Sequence, residues 1–440
     1  MTDFYVIRSS GSDSNGGTSE GDAFESIVTG VSAAYEAGTG GHVVWVKGNG
    51  NTYEGTPSIG TSYNLGKYGG QIVGYGDVTG DECMGGTYPE MRYQFHISAT
   101  GWSARNFNIY YDPIASQSEF STNPNWGGVF SCPNHCSNFN IHCTNSHSGG
   151  QYGGVFSAGQ SVMHSNFRIT FSPGFKLINP GFGLFGADST PSRGGYDGIY
   201  ADASGCLFPN HNPAYFFNFN NNDHGGVHQF AYNTLIAPDP SAYPMVGMNY
   251  RFSAYCHGIK IRNCIFVNCS TGIYLYTNIA DQAALISASR NEVMLIEDCI
   301  FINCEKGIDA DPSFQFPTTI RNCAFYNSTT SNISSNLINV DGTKICTQDP
   351  WDSTNGMLNE YGMTLLGNQT HKGTGTADFA TPDPDRPFYQ IVGKAASSFS
   401  TTDSGSLSLG GSGVGDKITV SGRTYQLISA DPIVWRRSDA

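Results

Sequence analysis

The side chains best suited to chemistry are concentrated in residues 210–230, which contain the runs NHNPAYFF and NFNNNDHGGVHQF. The imidazoles of His211, His224 and His228 could transfer protons near neutral pH. The ring of Tyr215 could stack on a sugar. His211, Tyr215 and His228 are therefore candidate carbohydrate contacts. The simpler interpretation, which we favour, is an Asn-rich connection with aromatic side chains packed on its flank.

A second group of candidate ligands lies in the run CPNHCSNFNIHC. It consists of Cys132, His135, Cys136, His142 and Cys143. Thiolate and imidazole groups are the ligands that Zn²⁺ prefers. However, strand alternation through this run would point some of these side chains inward and others outward, and no second CxxC pair occurs. We therefore predict no metal and no cofactor.

Three stretches of the chain can be aligned with one another: IRNCIFVNC from Ile261, IEDCIFINC from Ile296 and IRNCAFYNS from Ile320. A unit that recurs in this way is a supersecondary element stacked on copies of itself. Weaker copies extend upstream, and the marked positions are Asn106, Asn138, Asn166, Gly205, Asn233, Asn263, Asp298 and Asn322. Their unequal spacing excludes a helical array of fixed period, and the β-branched and aromatic alternation predicts coils of short strands.

Stacked coils place like residues directly above one another. We predict three such columns, formed by Cys264, Cys299 and Cys323, by Phe266, Phe301 and Phe325, and by Asn268, Asn303 and Asn327. The cysteines and phenylalanines would point inward, the thiols as small buried hydrophobic groups or, after release from a reducing cytosol, as disulfides. The asparagines would lie at a turn, where stacked amides can bond to each other.

An amphipathic helix is predicted within residues 22–38. Its apolar side chains, spaced for one helical face, are Phe24, Ile27, Val28, Val31 and Tyr35. Ser19 with Asp22 would cap its N-terminus, and Gly38 would end it. Such a helix would cover the core and the strand edges of the first coil.

The runs YVIRSSGSDSNGGTSEGDAFESI and GGHVVWVKGNGNTYEG resemble the opening of right-handed parallel β-helix proteins of the pectate-lyase-like superfamily. Through the repeats, the resemblance continues to about residue 345. It implies an all-β fold, a right-handed parallel β-helix solenoid with an N-terminal capping helix and a small C-terminal β module. It implies little about function, because this fold is used by lyases, hydrolases, adhesins and virion proteins.

The resemblance also suggests candidate catalytic residues. Hydrolases of this fold that resemble polygalacturonases have their nearest motif matches here at Asp197, Asp223, His224 and Lys260. The adjacent Asp-Asp pair of those enzymes does not occur in this sequence, so the two-carboxylate chemistry lacks its donor set. In lyases of this fold a basic residue abstracts the proton, and Arg290 is the candidate for that role. A solvated loop is the alternative interpretation of the charges around it.

Four segments are predicted: an N-terminal strand and capping helix (1–40), a parallel β-helix (41–345), an irregular linker or cap (346–387) and a C-terminal β-hairpin module (388–440). The last segment contains GDKITVSGRTYQLIS, whose alternation and Ser-Gly step predict a hairpin. This pattern also looks like small β modules of bacteriophage virion proteins.

The charge balance excludes some partners. With 22 Lys and Arg against 36 Asp and Glu, the net charge is −14, and no basic stripe that could bind nucleic acid is present. No apolar run is long enough to span a membrane. The start MTDFYVIRSS lacks the features of a secretory signal, so we expect synthesis in a host cytoplasm.

These features favour a non-catalytic bacteriophage structural protein at the virion surface, as a capsid decoration, fibre or tail spike component. It would attach to a surface or stabilise the particle, as a homo-oligomer, which is often a trimer in such proteins. Its partners would be other virion proteins and a surface polysaccharide, without nucleic acid or membrane. One alternative is a carbohydrate-active enzyme, either a polysaccharide lyase or a depolymerising tailspike. Another is a self-assembling extracellular filament or adhesin.

Overall fold

The chain winds into a parallel β-helix, which confirms the predicted all-β solenoid. The computed structural model describes residues 2–38, 40–53, 58–59, 69–79, 88–92, 95–97, 101–111, 130–132, 135–144, 156–158, 163–175, 185–187, 194–207, 214–219, 228–252, 259–277, 279, 282, 294–321, 323–337, 339–341, 344–345, 390–392, 417–420, 423–430 and 433–437. Strand pairing within the solenoid is parallel, and it sorts the strands into three faces.

The first face starts each coil. Its strands are Asp3–Val6, His42–Lys47, Gly70–Tyr75, Gly194–Asp197, His228–Ala231, Ile259–Arg262, Met294–Glu297, Thr318–Arg321 and Asn339–Asp341. Three longer strands bend through the first corner and serve both the first and the second face: Trp102–Tyr111, Cys136–Cys143 and Met163–Phe171. The coils therefore pair continuously along this side of the rod.

The second and third faces complete each coil. The second face contains Thr52–Tyr53, Glu90–Arg92, Tyr200–Asp202, Thr234–Ile236, Ile265–Val267, Ile300–Ile302, Ala324–Tyr326 and Lys344–Ile345. The third face is a ten-stranded sheet of Ser58–Ile59, Phe95–Ile97, Phe130–Cys132, Phe156–Ala158, Phe185–Ala187, Ala214–Phe219, Met245–Phe252, Thr271–Thr277, Lys306–Ala310 and Ser331–Ile333. Apolar side chains from all three faces form one core.

A residue in the left-handed conformation makes the first corner, between the first and second faces. The corner residues are Asn106 (φ 69°), Asn138 (φ 60°), Gly198 (φ 63°), Tyr232 (φ 57°), Asn263 (φ 53°) and Asp298 (φ 53°). Gly, Asn and Asp are the residues that tolerate this conformation best. The corner recurs at aligned positions along the rod, so it fixes the register between coils.

Two of the predicted repeat positions are wrong. Strand register places Gly198, not Gly205, and Tyr232, not Asn233, at the first corner. Asn233 is instead buried inside the corner, where its amide oxygen accepts the N–H of Ile199 at 2.9 Å. Its amide nitrogen donates to the carbonyl of Tyr196 at 3.1 Å. Asn233 thus supports the corner of the preceding coil.

The predicted asparagine column lies at the second corner, between the second and third faces. Asn268, Asn303 and Asn327 have φ values of 56°, 52° and 53°. The Asn303 amide donates to the side-chain oxygen of Asn268 at 3.3 Å, and the Asn327 amide donates to that of Asn303 at 3.1 Å. These bonds satisfy polar groups along the corner from one coil to the next.

The rings of Phe266, Phe301 and Phe325 form the predicted column inside the second face. Neighbouring ring centroids are 5.1 and 4.9 Å apart, and the rings are within 8° of parallel. All three are fully buried. Stacked aromatic rings add to the free energy gained by burying their area.

Glycines on the third face make room for these rings. A methyl group on Gly247, Gly272 or Gly307 would overlap the ring of Phe266, Phe301 or Phe325 respectively, and would also approach a backbone carbonyl of the next coil. The phenylalanine and glycine columns therefore pack as matched large and small surfaces.

The inward position after the first corner changes along the rod. Its occupants are Phe107, Phe139, Phe167, Ile199, Asn233, Cys264, Cys299 and Cys323. Where this position holds phenylalanine, the middle of the second face holds Ile109, Ile141 or Ile169 instead of phenylalanine. In these coils the phenylalanine stands directly after the corner instead of in the middle of the second-face strand, and the core is filled in both arrangements.

The N-terminal helix begins later than predicted. It spans Ile27–Glu36, and Ser26 rather than Ser19 is its N-cap, with the side chain accepting the N–H of Thr29 at 3.2 Å. The carboxylate of Asp13 holds the preceding backbone by accepting the N–H of Ser26 at 2.8 Å. The helix packs on the first two strands of the first face, and Val28 points away from them, 39% exposed.

The predicted C-terminal hairpin is present. Lys417–Val420 pairs antiparallel with Arg423–Ala430, and Ile433–Arg437 and Gln390–Val392 extend the pair to a four-stranded sheet. The predicted linker, 346–387, lies outside the described residues. In the described part of the chain, no helix has the length and apolar character needed to cross a membrane.

We expect Gly272→Ala to lower the free energy of unfolding by about 1–3 kcal/mol, because the new methyl group must displace the ring of Phe301 or the adjacent backbone. Denaturant unfolding followed by circular dichroism measures this. Gly21→Ala is the matched control, since no atom lies within 4 Å of its added methyl group, and its effect should stay within about 0.5 kcal/mol. Equal effects of the two substitutions would contradict the predicted packing.

Candidate functional site

Only two of the candidate catalytic residues lie in the described part of the chain. Asp197 ends a first-face strand and is partly buried, whereas Lys260 is exposed on the same face two coils further on. The rung and residue spacings put their Cα atoms about 12 Å apart. Asp223, His224 and Arg290 lie outside the described residues.

The Asp197-Gly198 step has a clear structural role. Gly198 is the left-handed residue of the first corner, which explains an Asp-Gly pair at this point of the coil. The residues beside Asp197 on the neighbouring coils are Ser165 and Ala231, so neither position supplies a second carboxylate. Two carboxyl groups separated by about 5–9.5 Å are what glycoside hydrolysis requires.

One candidate carbohydrate contact, Tyr215, lies on the outside of the third face and is half-buried. His228 begins a strand of the first face, but its side chain, like all of His211, lies outside the described residues. Within the described residues, the structure therefore shows no contact among Tyr215, His228 and His211. Tyr215 has other aromatic neighbours instead.

Tyr215 belongs to a surface cluster on the third face that we call the tyrosine patch. It contains Tyr215, Asn249, Arg251, Tyr274, Tyr276 and Asp309. The rings of Tyr274 and Tyr276 are stacked, with centroids 5.7 Å apart and planes 17° apart. They stand on one strand at alternate positions, which is why both point outward.

Polar residues on neighbouring coils flank these two rings. Strand register places Asn249 beside Tyr274 and Arg251 beside Tyr276 on the preceding coil. On the following coil Asp309 lies beside Tyr274, and its carboxylate forms an ion pair with the ammonium group of Lys306 at 2.7 Å. The patch thus combines aromatic faces with guanidinium and carboxylate groups, whereas the amide of Asn249 is buried, 5% exposed.

Burial raises the pKa of all three phenols of the patch, Tyr215, Tyr274 and Tyr276. Burial raises the pKa of Tyr274, and the charges of Asp311, Asp309 and Tyr215 raise it further. Burial also raises the pKa of Tyr276, which Arg251 opposes and Tyr215 reinforces. All three phenols therefore stay protonated at neutral pH and can donate as well as accept hydrogen bonds.

These properties suit sugar binding. Partly exposed tyrosine rings present an apolar face on which the C–H face of a sugar can stack, and the surrounding polar groups can bond to hydroxyls. The sequence pattern indicated Tyr215 only. Tyr274 and Tyr276 were missed, although the alternation in TGIYLYT is a signal for outward residues on a half-buried strand.

The candidate metal ligands of the CPNHCSNFNIHC run are divided by the strand that carries them. Cys136 and Cys143 are fully buried in the core, whereas His142 points to the outside of the second face. The thiol of Cys143 and the imidazole of its neighbour therefore cannot bind one ion. No group of three metal-ligating side chains occurs among the described residues.

The chain matches no protein-family model and has no significant match among curated proteins. The resemblance to parallel β-helix proteins is supported at the level of fold, by the three stacked faces. Function must be inferred from the surface of this rod.

We expect most thiols of the native protein to be unreactive. The eight described cysteines, all buried as free thiols, are Cys136, Cys143, Cys206, Cys264, Cys269, Cys299, Cys304 and Cys323. Burial raises the pKa of Cys143, Cys206, Cys269 and Cys299, which suppresses the reactive thiolate.

Titration with Ellman's reagent tests this expectation. At most four of the twelve thiols should react rapidly in the native protein, and all twelve should react in guanidinium chloride. More than four rapid reactions would show that the core columns are open. Fewer than twelve in denaturant without reductant would reveal disulfides.

Proposed function

We propose that this chain is a non-catalytic structural protein of a bacteriophage particle, exposed at the virion surface, where it attaches to polysaccharide. The tyrosine patch is the observation that carries the attachment role. The assignment to a phage particle is supported by the rod-like fold and by the resemblance of GDKITVSGRTY to virion β modules.

A rod of stacked coils suits a mechanical role. Its columns bond each coil to the next through backbone ladders, amides and stacked rings, so the surface carried by the coils is held rigidly. We further propose a homo-oligomer, which could be a trimer, in contact with other virion proteins. Neither nucleic acid nor a membrane is a proposed partner, in line with the net charge of −14.

Two observations favour binding over catalysis. The positions beside Asp197 on the neighbouring coils hold Ser165 and Ala231, so strand register supplies it with no second carboxylate. The carboxylates next to the tyrosine patch already have partners, Asp309 in Lys306 and Asp311 in Ser313. Aromatic faces together with hydroxyl-bonding groups are sufficient to hold a glycan.

The phage assignment is tested on purified particles from a culture that carries the gene. We expect mass spectrometry to detect peptides of this chain in particles banded by density gradient, at a ratio to the major capsid protein that stays constant across the band. Detection only in the soluble lysate would rule out a virion component. This test is independent of any glycan affinity.

The attachment role is tested by Tyr274→Ala and Tyr276→Ala in calorimetric titrations with bacterial surface polysaccharides. Each substitution should weaken binding by about tenfold, because it removes a stacking ring. Tyr326→Ala, which removes a half-buried tyrosine from the second face, is the matched control and should bind like the wild type. The same incubations should yield no unsaturated products and no new reducing ends. Wild-type affinity in both patch variants would contradict the role of the patch.

A further inference from the structure

We propose that a groove on the second face binds an anionic saccharide, through a carboxylate or sulfate group on one of its sugar residues. The groove has a volume of about 290 Å³. Its polar lining comes from three consecutive coils and consists of Asn108, Tyr110, Asn140, His142, Arg168 and Thr170. The site lies on a different face from the tyrosine patch and goes beyond the function proposed above.

Strand register arranges these side chains in two columns. One column holds Asn108, Asn140 and Arg168, and the other holds Tyr110, His142 and Thr170. Adjacent coils are about 4.8 Å apart and alternate residues of a strand about 6.6 Å apart, so the lining measures about 10 by 7 Å. Those dimensions suit one or two sugar residues, and the volume is close to the lower end for ligand pockets.

The groove provides contacts for the uncharged part of a sugar. Tyr110 is 43% exposed, and its ring lies 6.1 Å from that of His142 at an interplanar angle of 70°. The amide of Asn140 donates to the side-chain oxygen of Asn108 at 2.9 Å, which fixes both amides in the wall. A sugar can therefore stack on the phenol ring while its hydroxyls bond to oriented amides.

The groove's charge selects for an anion. Among the lining residues named above, Arg168 is the one permanently charged side chain, and a guanidinium can bind a carboxylate or sulfate through two N–H groups. Among the residues that the structure describes, the carboxylates in register with the groove lie one coil outside it, Glu90 beside Asn108 and Asp202 beside Thr170. Glu90 is paired with Arg92 at 3.4 Å, and Asp202 accepts the N–H of Ser204 at 3.0 Å. An anion in the groove would therefore contact a cation, while both carboxylates already have partners of their own.

His142 makes this site sensitive to pH. Burial, and then the charge of Arg168, lower the pKa of His142, so its ring is neutral at pH 7. Its Nδ1 lies 2.8 Å from the hydroxyl of Thr170, and its Nε2 lies 3.4 Å from that of Ser172. When His142 is protonated, both of its ring nitrogens donate hydrogen bonds. The hydroxyls of Thr170 and Ser172 then act as acceptors, and their own hydrogens can point towards a ligand.

A bound anion stabilises the imidazolium and so raises the pKa of His142 in the complex. Linkage then requires affinity for the anion to rise as the pH falls through the pKa of His142, which burial and Arg168 hold below its ordinary value. A sugar carboxylate, with a pKa of about 3–4, remains ionised at pH 5.5. A sulfate group stays ionised at lower pH still, so the sulfated probe reports the titration of His142 without a change in the ligand's own charge.

Calorimetric titration of the full chain in 0.15 M NaCl tests the proposal. The probes are oligomers of a polyuronate, a sulfated oligosaccharide and a neutral oligosaccharide of matched length. We expect at least one anionic probe to bind about tenfold or more tightly than the neutral one, and Arg168→Gln to abolish that difference. Lys260→Gln, which removes an exposed positive charge from the first face, should retain it. Comparing the carboxylated with the sulfated probe identifies the anion.

Equal binding of anionic and neutral probes, or equal effects of Arg168→Gln and Lys260→Gln, would overturn the proposal. Circular dichroism shows whether each variant is folded. If Arg168→Gln does not fold, titrations of the wild-type protein still test the proposal. Its affinity for the sulfated probe must increase, relative to that for the neutral probe, as the pH is lowered through the titration of His142, and an unchanged affinity across that titration would overturn the proposal. The tyrosine-patch variants should leave this binding unchanged, so the two sites are tested separately.

Discussion

The left-handed residue at the first corner is the constraint on which this structure depends. A chain of L-residues can turn sharply between two short strands when one residue adopts positive φ, and Asn, Asp and Gly do so at least expense. Because the turn takes one residue at six aligned corners between Asn106 and Asp298, neighbouring coils meet in the same register. That register lines up the buried rings, the corner amides and the outward side chains of both candidate sites.

The sequence predicts the last coils best, where a motif of Asn or Asp, then C-x-F-x-N, then Cys or Ser marks two corners at once. Asn263 and Asn268 bracket a three-residue strand, so a buried ring and the buried thiol after the first corner must recur at fixed offsets. Upstream the signal weakens for a physical reason. Several residue types can occupy a left-handed corner, and a tyrosine does so at position 232, where sequence alone favours the asparagine beside it. The helix cap was misplaced for a similar reason, because distant Asp13 helps to set where the helix begins.

The candidate sites were harder to predict than the fold. Tyr215 could be found from the local density of aromatic and polar residues, but its partners stand on a strand about sixty residues later and meet it only through coil stacking. The groove is distributed in the same way. Arg168 occupies an outward position that is asparagine in the two preceding coils, so its significance becomes visible only once the register is known.

The connections that follow the third-face strands vary in length, and this variation has an evolutionary consequence. Connections after the third-face strands differ widely, from the short step between Cys132 and Cys136 to the longer one between Thr277 and Met294, while the first corner keeps its single residue. Insertions there leave the stacking undisturbed, because lengthening a surface loop adds little entropic penalty. Genes for such rods can therefore diversify by grafting new loops onto one edge and by duplicating whole coils, each adding about 4.8 Å of reach.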